Sequence, residues 1–356
     1  MGLLALAVSY RPNGSAMKPY TLCLALSLAC ATISDAEIRT WTNAEGQEIT
    51  AEILGMEDGK VIFNLRGKEV PYPIKDLSKE DQDWLKQWEK DQKEKAAAER
   101  EEKLAAATKF EGVELQPGKK VTFELPVEKE LAQKSADGGT PVEKTKVAIA
   151  VPQGFAPFDS SKKYKFLVIN ATSGGNGSSV GHMGGYVSAG VARDYVVFGV
   201  DHSDGKAAND NTAFRWSVQK NAMNYFHEKW PGSEEWPVML AGFSGGAKWS
   251  GLLAGYYMSD GSRVSGVFMG GCNANLISGS LKEAKPKKVD FLKVPIWISN
   301  GTNDTMANVK YGESIKASME KTGFKNVRLE PYEGTHRLSQ DEVAKALDWF
   351  TGLVDQ

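Results

Sequence analysis

The chain has 356 residues, 41% of them apolar and 25% charged, with a formal net charge of −2. That length favours two domains over one, and the composition is that of an ordinary folded protein. A near-neutral balance gives no electrostatic ground for nucleic acid or an anionic membrane as partner, and past the N-terminus no apolar run is long enough to span a bilayer.

Met1 to Ala36 reads as a removable export signal. Lys18 precedes the apolar run Tyr20 to Ala29, which is too short for a membrane span, and Ser34-Asp35-Ala36 offers small residues at a cleavage site. Met17 is an alternative start. Ala29-Cys30-Ala31 is a second cleavage site, and Ser27 stands where lipidation at Cys30 would call for leucine. Of the three cysteines, Cys23 and Cys30 leave with the signal. Cys272 then stands alone, so the mature chain forms no internal disulfide. Following Val264 to Met269, it reads as a small buried hydrophobe rather than a nucleophile. These features predict a periplasmic or extracellular protein that relies on its core.

From Glu37 to Trp88 short strands alternate with turns: Ile38 to Thr42, Glu48 to Gly55, Val61 to Leu65 and Val70 to Ile74. Asn43-Ala44-Glu45-Gly46 and Glu57-Asp58-Gly59 are the turn signals. Ser78 then caps a helix, with Asp81 at its third position. Such a run predicts a small β-barrel. Residues 89 to 109 form a charged linker. Lys90 to Leu104 lacks Gly, Pro and any apolar stripe, and reads as a solvated helix of about 30 Å held by i,i+4 pairs such as Glu99 with Lys103.

From Phe110 to Gln356 apolar runs alternate with helical stretches. Val121 to Leu125 and Lys146 to Val151 lead. Phe166 to Asn170, Tyr195 to Val200, Val238 to Ala241, Val264 to Met269, Val294 to Ser299 and Val327 to Glu330 follow. Helices fit at Gly185 to Ala192, Ala213 to Trp230, Ala247 to Met258, Val309 to Thr322 and Gln340 to Val354. The pattern predicts an α/β domain with a doubly wound, mostly parallel sheet covered on both faces. The segments between strands leave no room for a large lid.

One stretch carries the chemistry. Val238 to Ala241 runs into Gly242-Phe243-Ser244-Gly245-Gly246 and then into a helix. A serine at the apex of a sharp strand-to-helix turn needs glycine neighbours, and the turn lifts its Oγ clear of the sheet. The Gly245 N–H then stands at a helix start, where it can donate to an oxyanion. A serine nucleophile needs a base, and the base an orienting carboxylate. His336, on the loop before the last helix, is the expected base, and Ser339 to Glu342 reads as that helix's capping box. Asp304, on the loop after Pro295 to Asn300, is the expected acid, and Asp201 is its rival. His182 and His202 could line the same pocket, and His227 reads as structural. The second oxyanion donor is sought in Ala171-Thr172-Ser173-Gly174-Gly175-Asn176-Gly177, with Thr172 N–H first. That loop lacks the lysine of a phosphate-binding loop, and no His, Cys or carboxylate cluster shows metal-ligand spacing.

Two resemblances follow. Arg39-Thr40-Trp41-Thr42, Gly46-Gln47-Glu48, Ala51 to Gly55 and Leu77-Ser78-Lys79-Glu80-Asp81 resemble the Sla-one homology domain, an SH3-like barrel that in a eukaryotic adaptor binds short peptide motifs. The resemblance implies a peptide- or glycan-binding module or a plain spacer. Gly242 to Lys248, Gly301-x-x-Asp304 and Gly334-Thr335-His336 resemble the elbow, acid loop and histidine loop of α/β-hydrolases related to polyhydroxybutyrate depolymerases and feruloyl or acetylxylan esterases. That likeness implies a Ser–His–Asp esterase without cofactor or metal, acting on an ester substrate such as an acylated polysaccharide or polyester. Asn170-Ala171-Thr172 departs from the His-Gly-Gly found in many hydrolases. A serine peptidase on the same fold and a non-catalytic envelope scaffold are the alternatives.

Overall fold

The computed structural model describes residues 38–136, 139–173, 177–203 and 210–354. The expected leader, with both candidate starts, Cys23, Cys30 and Ala36, lies outside them, as do Gly174 to Asn176 of the glycine-rich loop. Two compact units meet in sequence between Lys95 and Ala96.

In the first unit β1 (Ile38–Thr42), β2 (Glu48–Glu57), β3 (Lys60–Leu65) and β4 (Lys68–Pro73) form an antiparallel meander in that order. Among the described residues no β1–β4 ladder closes the sheet, so its pairing is an open meander where strand count alone predicts a closed barrel. Trp41, Ala51, Ile53, Val61 and Phe63 are buried together with Leu77 and Leu85. The helix α1 (Lys79–Ala107) is continuous, so the capped helix and the charged linker are one element. Nothing between them could break it, for the run holds neither Gly nor Pro. Among the described residues its surface pairs are Lys79–Asp83, Lys86–Asp83, Glu89–Lys93 and Lys90–Glu94, and Glu99 with Lys103 is not one of them.

Asp81 does more than close the helix cap. It is 2% exposed. Its carboxylate accepts from Arg39 Nη2 at 2.6 Å, from the Thr42 N–H at 2.6 Å and from Ser78 Oγ at 3.2 Å. The Arg39 guanidinium also lies 4.3 Å from the Trp84 ring centre. A buried charge is tolerable only when paired and hydrogen-bonded, and here the pairing ties β1 to α1.

The second unit opens with the short strands β5 (Lys109–Phe110) and β6 (Val113–Glu114). Then come β7 (Val121–Pro126), α2 (Lys129–Ala136), β8 (Lys144–Ala150), β9 (Lys165–Asn170), α3 (Ser179–His182), α4 (Gly184–Val191) and β10 (Tyr195–His202). After them follow α5 (Thr212–Lys229), β11 (Val238–Phe243), α6 (Gly245–Ser259), β12 (Val264–Gly270), α7 (Ile277–Glu283) and α8 (Lys288–Phe291). The unit ends with β13 (Ile296–Ser299), α9 (Val309–Thr322), β14 (Val327–Leu329) and α10 (Gln340–Val354). Ala107 and Phe110 are buried in its core, and Trp230 Nε1 donates to Ala107 O at 2.9 Å. The unit therefore starts ahead of the expected Phe110.

The sheet order is β7-β8-β10-β9-β11-β12-β13-β14. The strand β8 is antiparallel to β7 and β10, and the remaining pairs are parallel. Such a mostly parallel sheet fits the α/β-hydrolase architecture expected from the sequence. Every residue of β9 is buried, as parallel strands covered on both faces must be. Phe166, Val168, Phe198 and Leu240 pack with Phe226 of α5 and Leu253 of α6. Leu167, Ile169, Val197 and Met239 pack with Tyr186 of α4 and Phe350 of α10. Val343, Ala346, Leu347 and Phe350 make the apolar stripe that seats α10, at the spacing a helix requires.

Replacing Asp81 by alanine should strand the Arg39 charge and the Thr42 N–H, at about 2–4 kcal/mol. Urea unfolding followed by tryptophan fluorescence, with Trp41 and Trp84 beside the pair, reads this as a lower midpoint. An unchanged midpoint would mean that the ion pair does not hold β1 on the helix.

Candidate active site

The turn between β11 and α6 holds Ser244 at φ 57°, ψ −119°. Positive φ is costly for a residue with a side chain, about 1–3 kcal/mol, so packing must impose it. Close backbone approach supplies the constraint. A Cβ on Gly242 would lie 2.2 Å from the Gly246 carbonyl carbon, and one on Gly246 would lie 2.0 Å from Asn170 O at the end of β9. The Ser244 N–H donates to Gly270 O at 2.8 Å, fastening the turn to β12 as well.

His336 Nε2 lies 3.0 Å from Ser244 Oγ, and His336 Nδ1 lies 2.7 Å from Asp304 Oδ2. An ionised carboxylate only accepts. Nδ1 therefore carries the proton, and Nε2 of the neutral ring faces the serine hydroxyl as acceptor. The imidazole rests on Phe243, ring centres 4.8 Å apart. The Asp304 side chain is wholly buried. Burial alone would raise its pKa. The N–H groups of Ala307 and Met306, each 2.8 Å from Oδ1, together with His336 outweigh that and hold the carboxyl below its ordinary value.

The acid and histidine loops are laced together. Thr302 N donates to Tyr332 O and Asn303 N to Gly334 O, both at 2.9 Å. Tyr332 Oη turns within its own loop, its one proton shared between Thr335 O at 3.1 Å and Arg337 O. Asn300 anchors the acid loop from beneath. It accepts from Cys272 N at 3.1 Å and donates to Cys272 O and Asn308 O, each at 3.0 Å. Ser339 Oγ accepts from the Glu342 N–H at 3.3 Å, starting α10 as the capping pattern requires. The other half of the box is absent, because Glu342 Oε1 turns to Lys345 Nζ at 2.7 Å.

The rival residues are engaged elsewhere. Asp201 accepts from Ser178 Oγ and from the N–H groups of Ser179 and Val180, capping the first turn of α3. His227 Nδ1 lies 2.8 Å from Ser233 Oγ, and burial lowers its pKa. His202 stacks on Phe214, and His182 is exposed at the end of α3. The Cys272 thiol is buried, bonds to Ala274 O at 3.2 Å and is pushed up in pKa by burial.

Thr172 lies against the elbow. Its Oγ1 accepts from the Gly245 N–H at 3.0 Å, and a Cβ on Gly245 would lie 3.0 Å from the Thr172 Cα. Beneath it runs a buried polar row that the apolar pattern does not reveal. Tyr257 Oη donates to Gln219 Oε1 at 3.3 Å, Gln219 Nε2 to Asn170 Oδ1 at 2.8 Å, and Asn170 Nδ2 to Ser250 Oγ at 3.1 Å. A lone amide closing an otherwise apolar strand is the one sequence signal of this row. Among the described residues no group of three or more His, Cys, Asp or Glu side chains could hold a metal ion, and no helix is long and apolar enough to cross a membrane.

No family model matches the chain. A segment is 31% identical over 122 residues to acyl-protein thioesterase 1 of Debaryomyces hansenii, covering 33% of this chain and 48% of that protein. Its counterpart in Candida albicans is 32% identical over 63 residues, covering 17% and 27%. The chain thus spans about half or less of the length of the curated relatives it matches. Among solved structures, S-formylglutathione hydrolase of Staphylococcus aureus superposes with a TM-score of 0.44 at 12% identity, over 65% of this chain and 99% of that one. The esterase of Pyrobaculum calidifontis gives 0.47 at 12% identity, over 73% and 89%. The carboxylesterase of Bacillus cereus gives 0.39 at 17% identity, over 58% and 94%.

Two outcomes follow from this geometry. Gly246→Ala drives a methyl group into a backbone oxygen and should cost about 2–4 kcal/mol, seen as a lower Tm by circular dichroism; an unchanged Tm would mean that the strand end yields freely. The second concerns acid. The folded Asp304 carboxyl lies below its unfolded value of about 3.9, so its stabilisation is present above that value and is lost as pH falls through the folded one. Asp304→Asn should therefore flatten the loss of stability between about pH 6 and pH 3, measured as urea midpoints at both ends. Equal slopes in the two proteins would show that Asp304 does not contribute.

Proposed function

We propose that the chain is a serine hydrolase that cleaves carboxylic ester or thioester bonds through an acyl-enzyme. One observation carries the reading. Ser244 Oγ, on a strained turn, stands 3.0 Å from an imidazole whose other nitrogen is 2.7 Å from a buried carboxylate. The order serine, acid, histidine along the chain is the one this fold uses.

Ser244 Oγ attacks the acyl carbon while His336 Nε2 takes its proton. The imidazolium is steadied by Asp304, which stays ionised because its hydrogen bonds outweigh burial. His336 then protonates the leaving alcohol or thiol. In the second half, water gives its proton to His336, attacks the acyl-serine and releases the acid, and the proton returns to Ser244. The oxyanion is held by the Gly245 N–H at the start of α6 and the Thr172 N–H. The Thr172 hydroxyl now takes the Gly245 N–H, and an incoming carbonyl oxygen displaces it.

The motif likeness favours an acylated polysaccharide or polyester as substrate, and the half-buried Ser244 suits an acyl group on a bulky carrier. The name of the matched yeast relatives favours a thioester. We read Glu37 to Trp88 as an SH3-like Sla-one homology module that binds peptide or glycan or serves as a spacer. The leader pattern supports export to the periplasm or beyond.

The test compares wild type with Ser244→Ala on p-nitrophenyl acetate, acetylated xylan and an S-acyl thiol, alongside labelling by a fluorophosphonate probe. We expect Ser244→Ala to lose labelling and hydrolysis together. Labelling that persists in the variant would remove Ser244 from the nucleophile's role. Asp304→Asn should lower kcat by on the order of 10⁴, whereas Asp201→Asn should leave chemistry intact if the protein folds.

A further inference from the structure

We propose that Arg215 is a positioning residue that fixes the Thr172 N–H as the second oxyanion donor. The inference rests on the serine-hydrolase reading above and adds to it a residue on a different element.

Arg215 lies in the first turn of α5, where a cation opposes the helix dipole. Its side chain is only 7% exposed. An arginine so placed is costly unless it is paired and has something to hold. Asp210 supplies the pair. Its two carboxylate oxygens accept from Arg215 Nε at 2.5 Å and Nη2 at 2.7 Å, a fork-on-fork contact. The Trp249 ring covers the guanidinium at 4.7 Å, and Trp249 Nε1 donates to Ser173 Oγ at 2.7 Å.

The remaining arm, Nη1, donates to Ala171 O at 3.0 Å. That oxygen and the Thr172 N–H belong to one peptide group. The chain has no cis peptide bond among the described residues, and in a planar trans peptide C=O and N–H point in opposite directions. Holding the oxygen therefore aims the N–H. A cation on the oxygen also draws electron density from the nitrogen, making the N–H a stronger donor. Among the described residues that N–H has no protein partner, and Thr172 sits against Gly245, the other donor. Arg215 thus does for Thr172 what the start of α6 does for Gly245.

The experiment uses the full chain with Arg215→Met, Arg215→Lys and Asp210→Asn. Active sites are counted by fluorophosphonate titration. Kinetics of p-nitrophenyl acetate hydrolysis are then measured per active site, with the inhibition constant for phenylboronic acid, whose tetrahedral adduct places an anionic oxygen in the same hole. Loss of one oxyanion donor typically costs about 10²–10³ in kcat. A misaimed donor should cost Arg215→Met about 10–100-fold, with KM held within about threefold. Boronate affinity should fall in parallel. Arg215→Lys, which keeps the charge but not the fork, and Asp210→Asn should fall between. Per-site kcat within about twofold of wild type, with only a smaller titratable fraction, would reduce Arg215 to a structural part and overturn the proposal. A raised KM at unchanged kcat would make it a substrate contact and overturn it equally. If Arg215→Met does not fold, the Lys and Asn variants decide. If wild type itself takes up no fluorophosphonate, the serine reading fails and this inference fails with it, before any Arg215 variant is compared.

Discussion

The Ser244 end of the second unit depends on one approach between backbones. The first turn of α6 comes so close to the end of β9 that no Cβ fits on Gly246. That approach forces the sharp turn, the turn forces Ser244 into positive φ, and the strained serine is thereby held proud of the sheet. The cost, about 1–3 kcal/mol at such a residue, is spread over packing on both sides. Both β9 and β12 pair with β11 along its length. An edge strand, paired on one side only, could not impose the same strain.

Charge is arranged on the same principle at Asp304 and Asp81, buried carboxylates answered by fixed donors. Asp304 is wholly buried, yet two backbone N–H groups and an imidazole keep it ionised. Asn300 holds the backbone beneath it, and the acid and histidine loops hydrogen-bond to one another. The distance from His336 to Ser244 is therefore set by backbone that has few ways to move. Asp81 in the first unit is handled alike: a buried carboxylate answered by one guanidinium, one N–H and one hydroxyl. In both places removing a donor costs more than the bond it made, because the charge stays behind.

The Gly245 and Thr172 side of the elbow is built differently from the Asp304 side. Gly245 gets its donor from helix geometry alone. Thr172 is on a loop with no regular structure, so its peptide needs an outside hold. The polar row Tyr257–Gln219–Asn170–Ser250 fixes the strand end from which that loop departs. Arg215 reaches the next carbonyl along. Held on both sides in this way, the Ala171–Thr172 peptide has little freedom to turn.

Much of this was legible in the residues. Apolar runs marked the inner strands β9, β11, β12 and β13, because strands covered on both faces have no polar side to show. Val309–Thr322 and Gln340–Val354 were read at their observed ends, and Ser339 marks the start of the second. Gly242, Gly245 and Gly246 announced the turn, because only glycine survives such approaches. The short helices α2, α3, α7 and α8 escaped notice, being too brief for periodicity to register. The division within α1 escaped as well, since a charged helix without an apolar stripe carries no mark of where one core ends. What only the tertiary structure decided is which groups meet. Asp201 and Asp304 both follow apolar strands and look alike in sequence, yet one caps α3 and the other reaches His336. Arg215 and Gln219 look like the solvated face of a helix and turn out to be buried against the end of β9. Local pattern determines how a segment coils and which of its faces is apolar. The partner of a buried polar group is set by the crossing of segments far apart in the chain, and no local pattern records it.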